Sequence, residues 1–279
     1  MSTPRGVVIS GASTGIGAAT ALVLAEKGYV VFAGVRSDDD ARRLAAVSPG
    51  VRPVMLDVTQ ADSVTRAAEI VRGSGIELHG VVSNAGIAVG GPLEHVSMDD
   101  MRQQFEVNVF GALALAQAFI PLFSASGGRI VFVGSISGRL AMPYVGPYSA
   151  SKFALRGLVD ALRVELAPAE IRVSLIEPGS VKTPIWAKGR AQAGQIASRH
   201  ASKRPHYRMA LERIVSITER EARDGMPVEI VAATILHALA ARRPRAEYVL
   251  GTPARMGSFV AALPPALRDR AVRASMRLS

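Results

Sequence analysis

Seven short stretches of this chain are dominated by apolar residues in unbroken rather than alternating order: 6–10, 29–34, 51–56, 80–83, 129–133, 171–176 and 247–250. A strand with one wet face alternates apolar and polar residues, so an unbroken run implies cover on both faces. Helix-length segments separate most of the runs, at 16–27, 38–47, 62–72, 98–123, 148–166 and 227–241. This order predicts an α/β fold, a doubly wound seven-stranded parallel sheet between two helical layers. Pro53 inside the third run predicts an edge strand, because proline cannot donate to a sheet ladder. Gly28 is a natural stop for the first helix. Ser97 with Asp100 predicts a capping box on the long fourth one.

At 279 residues and 49% hydrophobic content the chain can build one large core, and a single domain over 1–279 is expected. Two stretches stand outside the alternation. Residues 185–225 are polar, basic and helical, and are expected to form a lid over a substrate pocket. Residues 252–279 form a C-terminal extension with a basic helix at 266–277. The absence of cysteine excludes disulfides, thiol catalysis and cysteine-bound metals, and no metal is expected. The polar first five residues show no signal-peptide pattern. The longest apolar run, 109–123, is short for a membrane span, so a cytoplasmic location is expected.

The net charge of +10 is unevenly placed: residues 1–184 hold 16 basic and 16 acidic side chains, residues 185–279 hold 17 and 7. A basic surface attracts anionic small molecules or an anionic membrane. Met256, Phe259, Val260, Leu263 and Leu267 lie beside Arg268, Arg270 and Arg273. That pattern allows a weak membrane-surface contact, an oligomer contact or a plain terminal helix. The basic segments lack interleaved aromatics, so nucleic acid is not an expected partner.

Between the first strand and first helix stands Ser10-Gly11-Ala12-Ser13-Thr14-Gly15-Ile16-Gly17. Glycines permit a tight turn and close approach of a pyrophosphate, and the helix N-terminus offers N–H groups and a positive dipole end. Gly11, Ser13, Thr14, Gly15, Ile16 and Gly17 are therefore candidate cofactor-binding residues. An acid at the end of the second strand would select NAD. Gly34 occupies that place, and Arg36 follows, able to pair with a 2′-phosphate. Ser13 and Ser37 could assist, and NADP(H) is expected to be preferred over NAD(H). Asp38-Asp39-Asp40 would weaken that preference if one carboxylate turned toward the ribose; a solvated Arg36 is the plainer alternative.

Tyr148 and Lys152 lie four apart and share a helix face. A free phenol titrates at about 10 and is a poor base at neutral pH, but a neighbouring cation favours its ionised form. Such a pair can move a proton to or from a substrate oxygen.

Further residues fall in a familiar order: Leu56-Asp57-Val58-Thr59, Ser83-Asn84-Ala85-Gly86, Asn108, Gly134-Ser135, Tyr148-Ser149-Ala150-Ser151-Lys152, and Pro178-Gly179 with Val181 and Thr183. Alone, Asn84-Ala85-Gly86 could be a turn, Asn108 a polar helix residue, Ser135 a strand-end hydroxyl and Asp57 a capping carboxylate. Together, over about residues 5–185 and the last strand, they resemble the short-chain dehydrogenase/reductase family and its Rossmann fold. More loosely, residues 31–36 and 148–155 and the C-terminal extension resemble its retinol and hydroxysteroid dehydrogenase branch. The resemblance implies a catalytic tetrad of Asn108, Ser135, Tyr148 and Lys152, with Asn108 holding a water that links Lys152 to solvent. It implies contacts from Asp57 and Val58 to adenine, from Asn84, Ala85 and Gly86, and from Pro178, Gly179, Val181 and Thr183 to the nicotinamide side. Tyr148 and Lys152 would meet the cofactor as well.

The expected reaction is reversible hydride transfer between a nicotinamide and a carbonyl or alcohol carbon. Tyr148 moves the proton, and Ser135 donates to the substrate oxygen. Ser135, Met142, Val145, Tyr148 and Trp186 are candidate substrate contacts, the apolar ones with core packing as the alternative. A lipophilic alcohol, ketone or aldehyde, such as a steroid, retinoid or acyl chain, is the implied substrate class. A homodimer or homotetramer built on 98–123 and 148–166 is implied too. The competing class is an NADP(H)-sensing binding protein without turnover, expected to have lost part of the tetrad.

Overall fold

The structure, a computed structural model, describes residues 4–185, 215, 219 and 223–276. Strands β1 (Arg5–Ile9), β2 (Val30–Val35), β3 (Val51–Met55), β4 (Glu77–Ser83), β5 (Gly128–Val133), β6 (Ile171–Pro178) and β7 (Glu247–Leu250) form one parallel sheet. Their spatial order is β3-β2-β1-β4-β5-β6-β7. The chain runs outward from β1 to β3, then returns to place β4 on β1's other side. That reversal opens a crevice at the C-terminal ends of β1 and β4. β3, which contains Pro53, is an edge strand as expected.

Unbroken apolar strands are explained by cover on both faces. Val7 and Ile9 pack with Ala21 and Leu24 of α1 (Gly15–Glu26) and with Val231 and Ile235 of α2, the helix Val228–Ala240. Val8 between them points the other way, into a cluster with Val64 and Val71 of α3 (Ala61–Gly73) and Leu115 and Phe119 of α4 (Gly111–Phe119). Further along that face, Phe132 and Leu175 meet Leu155 and Val159 of α5 (Gly146–Glu165).

The segment expected as one helix over 98–123 is composite. It begins with α6 (Met98–Phe105), opens into a wider π turn at Glu106–Phe110 and continues through α4 to a 3₁₀ turn at Ile120–Leu122, which contains Pro121. Ser97 caps it, accepting from the Asp100 N–H at 3.0 Å. The Ser97 hydroxyl also donates to the Asp100 carboxylate at 2.7 Å. The continuous stretch Met98–Leu122 has 25 residues and a mean hydropathy of 1.5 in its most apolar window, long and apolar enough by composition to cross a membrane. This corrects the shorter run read from the sequence. Here the stretch packs on α3 and β4, and it carries the buried side chains of Gln104 and Asn108.

The C-terminal extension holds two helices rather than one, α7 (Thr252–Ala261) and α8 (Pro265–Ser275). α7 packs on β7 and on the 3₁₀ turn Ile136–Gly138. Met256, Phe259 and Leu267 are exposed, whereas Val260 and Leu263 are half-buried. Most of 185–225, including Trp186, lies outside the described residues, and so does the expected lid.

Candidate active site

A cavity of about 370 Å³ lies at the C-terminal ends of β1, β2, β4, β5 and β6. Its first wall is made largely of backbone. Gly11 and Gly15 adopt φ of +64° and +58°, left-handed values that favour glycine. No side chain caps α1 at Thr14, and no acid stands in its first turn, so the positive end of the helix faces the cavity. Gly11, Ser13, Thr14, Gly15 and Ile16 line it. Gly17 does not. A Cβ there would lie 2.3 Å from the Gly11 carbonyl oxygen and 2.6 Å from Asn84 Nδ2, so Gly17 lets the helix start pack against the turn.

Asn84 holds the turn to β4. Its Nδ2 donates to the Ser10 and Gly11 carbonyls at 3.1 and 2.9 Å. The Ser10 hydroxyl accepts from the Asn84 and Ala85 N–H groups at 3.1 and 3.0 Å. Asn84, Ala85 and Gly86 all line the cavity. Ser10 was not singled out from the sequence, although it is fully buried beneath the turn.

At the end of β2, Gly34 and Arg36 line the cavity. A Cβ at Gly34 would stand 2.7 Å from Leu56 and 2.9 Å from the Ile9 carbonyl, which closes the usual place of a ribose-binding acid. Ser37 is not a cavity residue. It caps the helix α9 (Asp38–Ala45) instead, accepting from Asp40 N–H at 3.2 Å and donating to Asp40 Oδ2 at 2.9 Å. Asp40 also accepts from Arg43 at 2.6 Å, and Asp39 accepts from Arg42. None of Asp38, Asp39 and Asp40 lines the cavity. Arg43 reaches back to the Ser13 carbonyl at 2.7 Å. Asp57 and Val58 line the adjoining wall, with Asp57 Oδ1 accepting from the Thr59 N–H and hydroxyl at 3.0 and 2.8 Å. Pro178, Gly179, Val181 and Thr183 complete this side.

The opposite wall carries Ser135, Tyr148 and Lys152. Tyr148 stands in the first turn of α5, just after Pro147, whose missing N–H suits that position. Its hydroxyl is hydrogen-bonded to that of Ser135. The Ser135 oxygen also accepts from Ser137 N–H at 3.1 Å. Lys152 Nζ lies 5.7 Å from the centre of the phenol ring and donates to the Val133 carbonyl at 2.8 Å. Burial pushes the Tyr148 phenol up to about 12, the Ser135 bond opposing it, and burial lowers Lys152 to about 8. The depression of the phenol expected from Lys152 is not seen: desolvation raises Tyr148, and only the Ser135 bond opposes it. A phenol raised in this way favours its protonated form.

Asn108 does not line the cavity. It sits in the π turn, accepts from Ile87 N–H at 2.9 Å, and donates to the Ile87 carbonyl at 3.0 Å and Ser151 at 3.1 Å. Gln104, missed in the sequence, makes a parallel set: it accepts from Val89 N–H at 2.7 Å and donates to Ile87 O at 2.9 Å and Ser151 at 3.3 Å. Ser151 in turn donates to the Tyr148 carbonyl at 2.7 Å. These two amides tie the cavity loop 87–89 to the helix of Tyr148. Met142 and Val145 do not line the cavity either. They are half-buried in the segment whose Tyr144 carbonyl accepts from Gly91 N–H at 2.7 Å.

Behind Ser135 lie four charged side chains absent from the sequence-based reading. Glu177 of β6, 1% exposed, accepts from Arg139 and Arg156. Glu247 of β7 accepts from the same two arginines.

Comparison with known proteins agrees with this geometry. The family model for short chain dehydrogenases matches residues 5–194. The chain is 35% identical over 256 residues to an NADPH-dependent 3-dehydrocapnine reductase from Ornithobacterium rhinotracheale, covering 88% of each protein. It is 32% identical over 242 residues to a 3-ketodihydrosphingosine reductase from Bacteroides thetaiotaomicron, covering 86% of each. A crystal structure of a short chain dehydrogenase/reductase from Burkholderia phymatum in complex with NAD superposes with a TM-score of 0.77 at 26% identity, covering 99% of this chain and 96% of that one.

Proposed function

The chain belongs to the short chain dehydrogenase family and is an oxidoreductase acting on CH–OH groups with NAD(P), and from that premise we propose that it interconverts a lipophilic ketone or aldehyde and the corresponding alcohol, preferring NADP(H). The observation that carries this reading is the hydrogen-bonded Tyr148–Ser135 pair on the cavity wall, with Lys152 beside it.

The residues fit a pyridine dinucleotide. The left-handed glycines and the uncapped start of α1 suit a pyrophosphate, the Asp57 carboxylate suits an adenine edge, and Arg36, with Asp38, Asp39 and Asp40 outside the lining, suits a 2′-phosphate. When bound, the cofactor supplies or accepts the hydride. Tyr148 donates its proton to the substrate oxygen, and Ser135 stabilises the charge that develops there. Lys152, held by the Val133 carbonyl, favours the phenolate once the proton has left. Asn108 acts as a positioning residue through Ile87 and Ser151. The neutral phenol suits the reducing direction.

The lipophilic substrate is supported by the apolar residues Ala88, Val89 and Ile185 that line the cavity together with Ser135 and Tyr148. It is also supported by likeness to a reductase whose named substrate, 3-ketodihydrosphingosine, is a lipid ketone. Pairing of two copies through α4 and α5 is supported by the exposed Phe110 next to α4 and Phe153 on α5.

Tyr148→Phe should lower kcat by about 10²–10⁴-fold, the usual weight of a positioned acid, on the best ketone of a chain-length series. NADPH should still bind. Near-normal turnover by the variant would sink the proposal. The kcat/KM for NADPH should exceed that for NADH, and Arg36→Glu should reverse the order. An unchanged ratio in that variant would refute the role of Arg36.

A further inference from the structure

The four charges behind Ser135 form a closed ring. Glu177 Oε2 accepts from Arg139 Nε at 2.9 Å and from its terminal nitrogen at 2.5 Å, while Glu177 Oε1 accepts from Arg156 at 2.9 Å. Glu247 closes the ring by accepting from Arg139 and, at 2.5 Å, from Arg156. Two guanidiniums and two carboxylates make it neutral. A buried ion pair is a poor source of stability, because desolvation offsets the Coulomb attraction. Forked arginine–carboxylate bonds do fix direction and distance.

Their placement is specific. Arg139 follows Ser135 through one 3₁₀ turn, and Arg156 lies one helical turn beyond Lys152. Glu177 directly precedes Pro178 and Gly179 of the cavity wall. The loop between Gly134 and Arg139 is slotted tightly between β6 and α5. A Cβ on Gly134 would stand 3.4 Å from Glu177 Cγ, and one on Gly138 would stand 2.8 Å from the Lys152 carbonyl. The ring thus joins the element that carries Ser135, the helix that carries Tyr148 and Lys152, and the two strands beneath them.

We propose that Arg139, Arg156, Glu177 and Glu247 are positioning residues that set the separation of the Ser135 and Tyr148 hydroxyls and keep the field at the phenol neutral. The inference rests on the oxidoreductase reading above. The charged groups about Tyr148 are Lys152 and Arg156 on its own helix, Arg139 after the 3₁₀ turn, Glu177 of β6 and Glu247 of β7, with Asp160 beyond, 4.0 Å from Arg156.

The test is a cycle of Glu177→Gln, Arg156→Met and the double variant. Each single variant should lose about 10–100-fold in kcat, a loss of the size a small misplacement causes, with NADPH affinity within about two-fold of the parent. Glu177→Gln leaves the ring with one excess positive charge, and Arg156→Met leaves one excess negative charge. Tyr148 and Arg156 are two helical turns, about 12 Å, apart. The alkaline limb of kcat/KM set by the Tyr148–Lys152 pair should move down by about half a unit in Glu177→Gln and up by a similar amount in Arg156→Met. In the double variant it should return to the parental value while kcat stays low. A loss of packing alone would lower the melting temperature without opposed pH shifts. Should Glu177→Gln not fold, Glu247→Gln at the more exposed corner should give a smaller downward shift. Shifts in the same direction, or unchanged kcat in folded variants, overturn the proposal. If the parent protein reduces no carbonyl substrate, it is the activity reading that has failed instead.

Discussion

The cavity wall at the ends of β1, β2 and β4 is shaped by backbone, whereas the wall that carries Ser135, Tyr148 and Lys152 is shaped by side chains. On the first, glycines at 11, 17 and 34 let main chain approach main chain, and the side-chain hydrogen bonds of Asn84 end on carbonyls. On the second, amides and ions join elements far apart in the chain: Gln104 to Ser151, Arg156 to Glu177, Arg139 to Glu247. A wall of close-packed backbone has no soft atom to move. A wall of side chains can shift a little and keep its fold while losing its chemistry. The two should therefore fail differently when mutated.

Gly17→Val tests the rigid wall and should have the largest effect. Its Cβ would lie 2.3 Å from a backbone oxygen and 3.0 Å from Ala12 Cα, neither of which can rotate away. Destabilisation of about 3 kcal/mol or more is expected, at the upper end of overpacking, with loss of NADPH binding. A variant with parental melting temperature and cofactor affinity would show that the backbone wall yields after all.

Lys152→Met tests the other wall, and here stability and function should part. The folded-state value of Lys152, about 8, lies below its ordinary 10.5. The folded protein therefore holds a disfavoured buried cation below pH 8. That burden is about 3 kcal/mol by the size of the shift, less about 1 kcal/mol for the Val133 carbonyl that would lose its donor. The ligand-free variant should gain roughly 2 kcal/mol at pH 7 and lose turnover. Between pH 8 and 10 the unfolded parent binds more protons than the folded one, so parental stability rises with pH and the gain shrinks. Above pH 10 the raised Tyr148 value acts the other way, and stability falls in both proteins. Denaturant melts across this range measure it; a variant less stable than the parent at pH 7 would mean the ammonium is better solvated than its burial indicates.

The same contrast decides what could be read from the sequence. Backbone walls leave local signs: three glycines in one turn, Gly34 where an acid would stand, Pro53 at an edge, Ser97 three residues before Asp100. Side-chain walls leave few. Arg139 and Glu247 are 108 positions apart, and no periodicity connects them. Gln104 looks like any polar residue on an amphipathic helix, and the π turn around Asn108 lies in a stretch with neither glycine nor proline to announce it. α7 escaped notice because Gly257 and Ser258 are weak helix formers, yet Gly257 is what lets the helix lie against Ile136. Met142 and Val145 follow Ser135 closely in sequence yet stay out of the cavity lining, because proximity does not say which way a side chain turns.

Ser37 sits on the border between the two kinds of wall, and it gives the smallest effect. It neighbours Arg36, a cavity residue, yet its hydroxyl belongs to the N-terminus of α9. Replacing a serine cap by alanine costs about 1 kcal/mol, and the exposure of this corner favours the lower part of the range. Ser37→Ala should therefore lower the melting temperature slightly while leaving NADPH affinity unchanged. The Asp40 carboxylate would lose its hydroxyl donor but keep the Arg43 guanidinium at 2.6 Å, so it has a cation to hold it away from the cavity. A selective loss of NADPH affinity, with NADH affinity and stability intact, would place the hydroxyl on a 2′-phosphate and move Ser37 from the helix cap to the nucleotide wall.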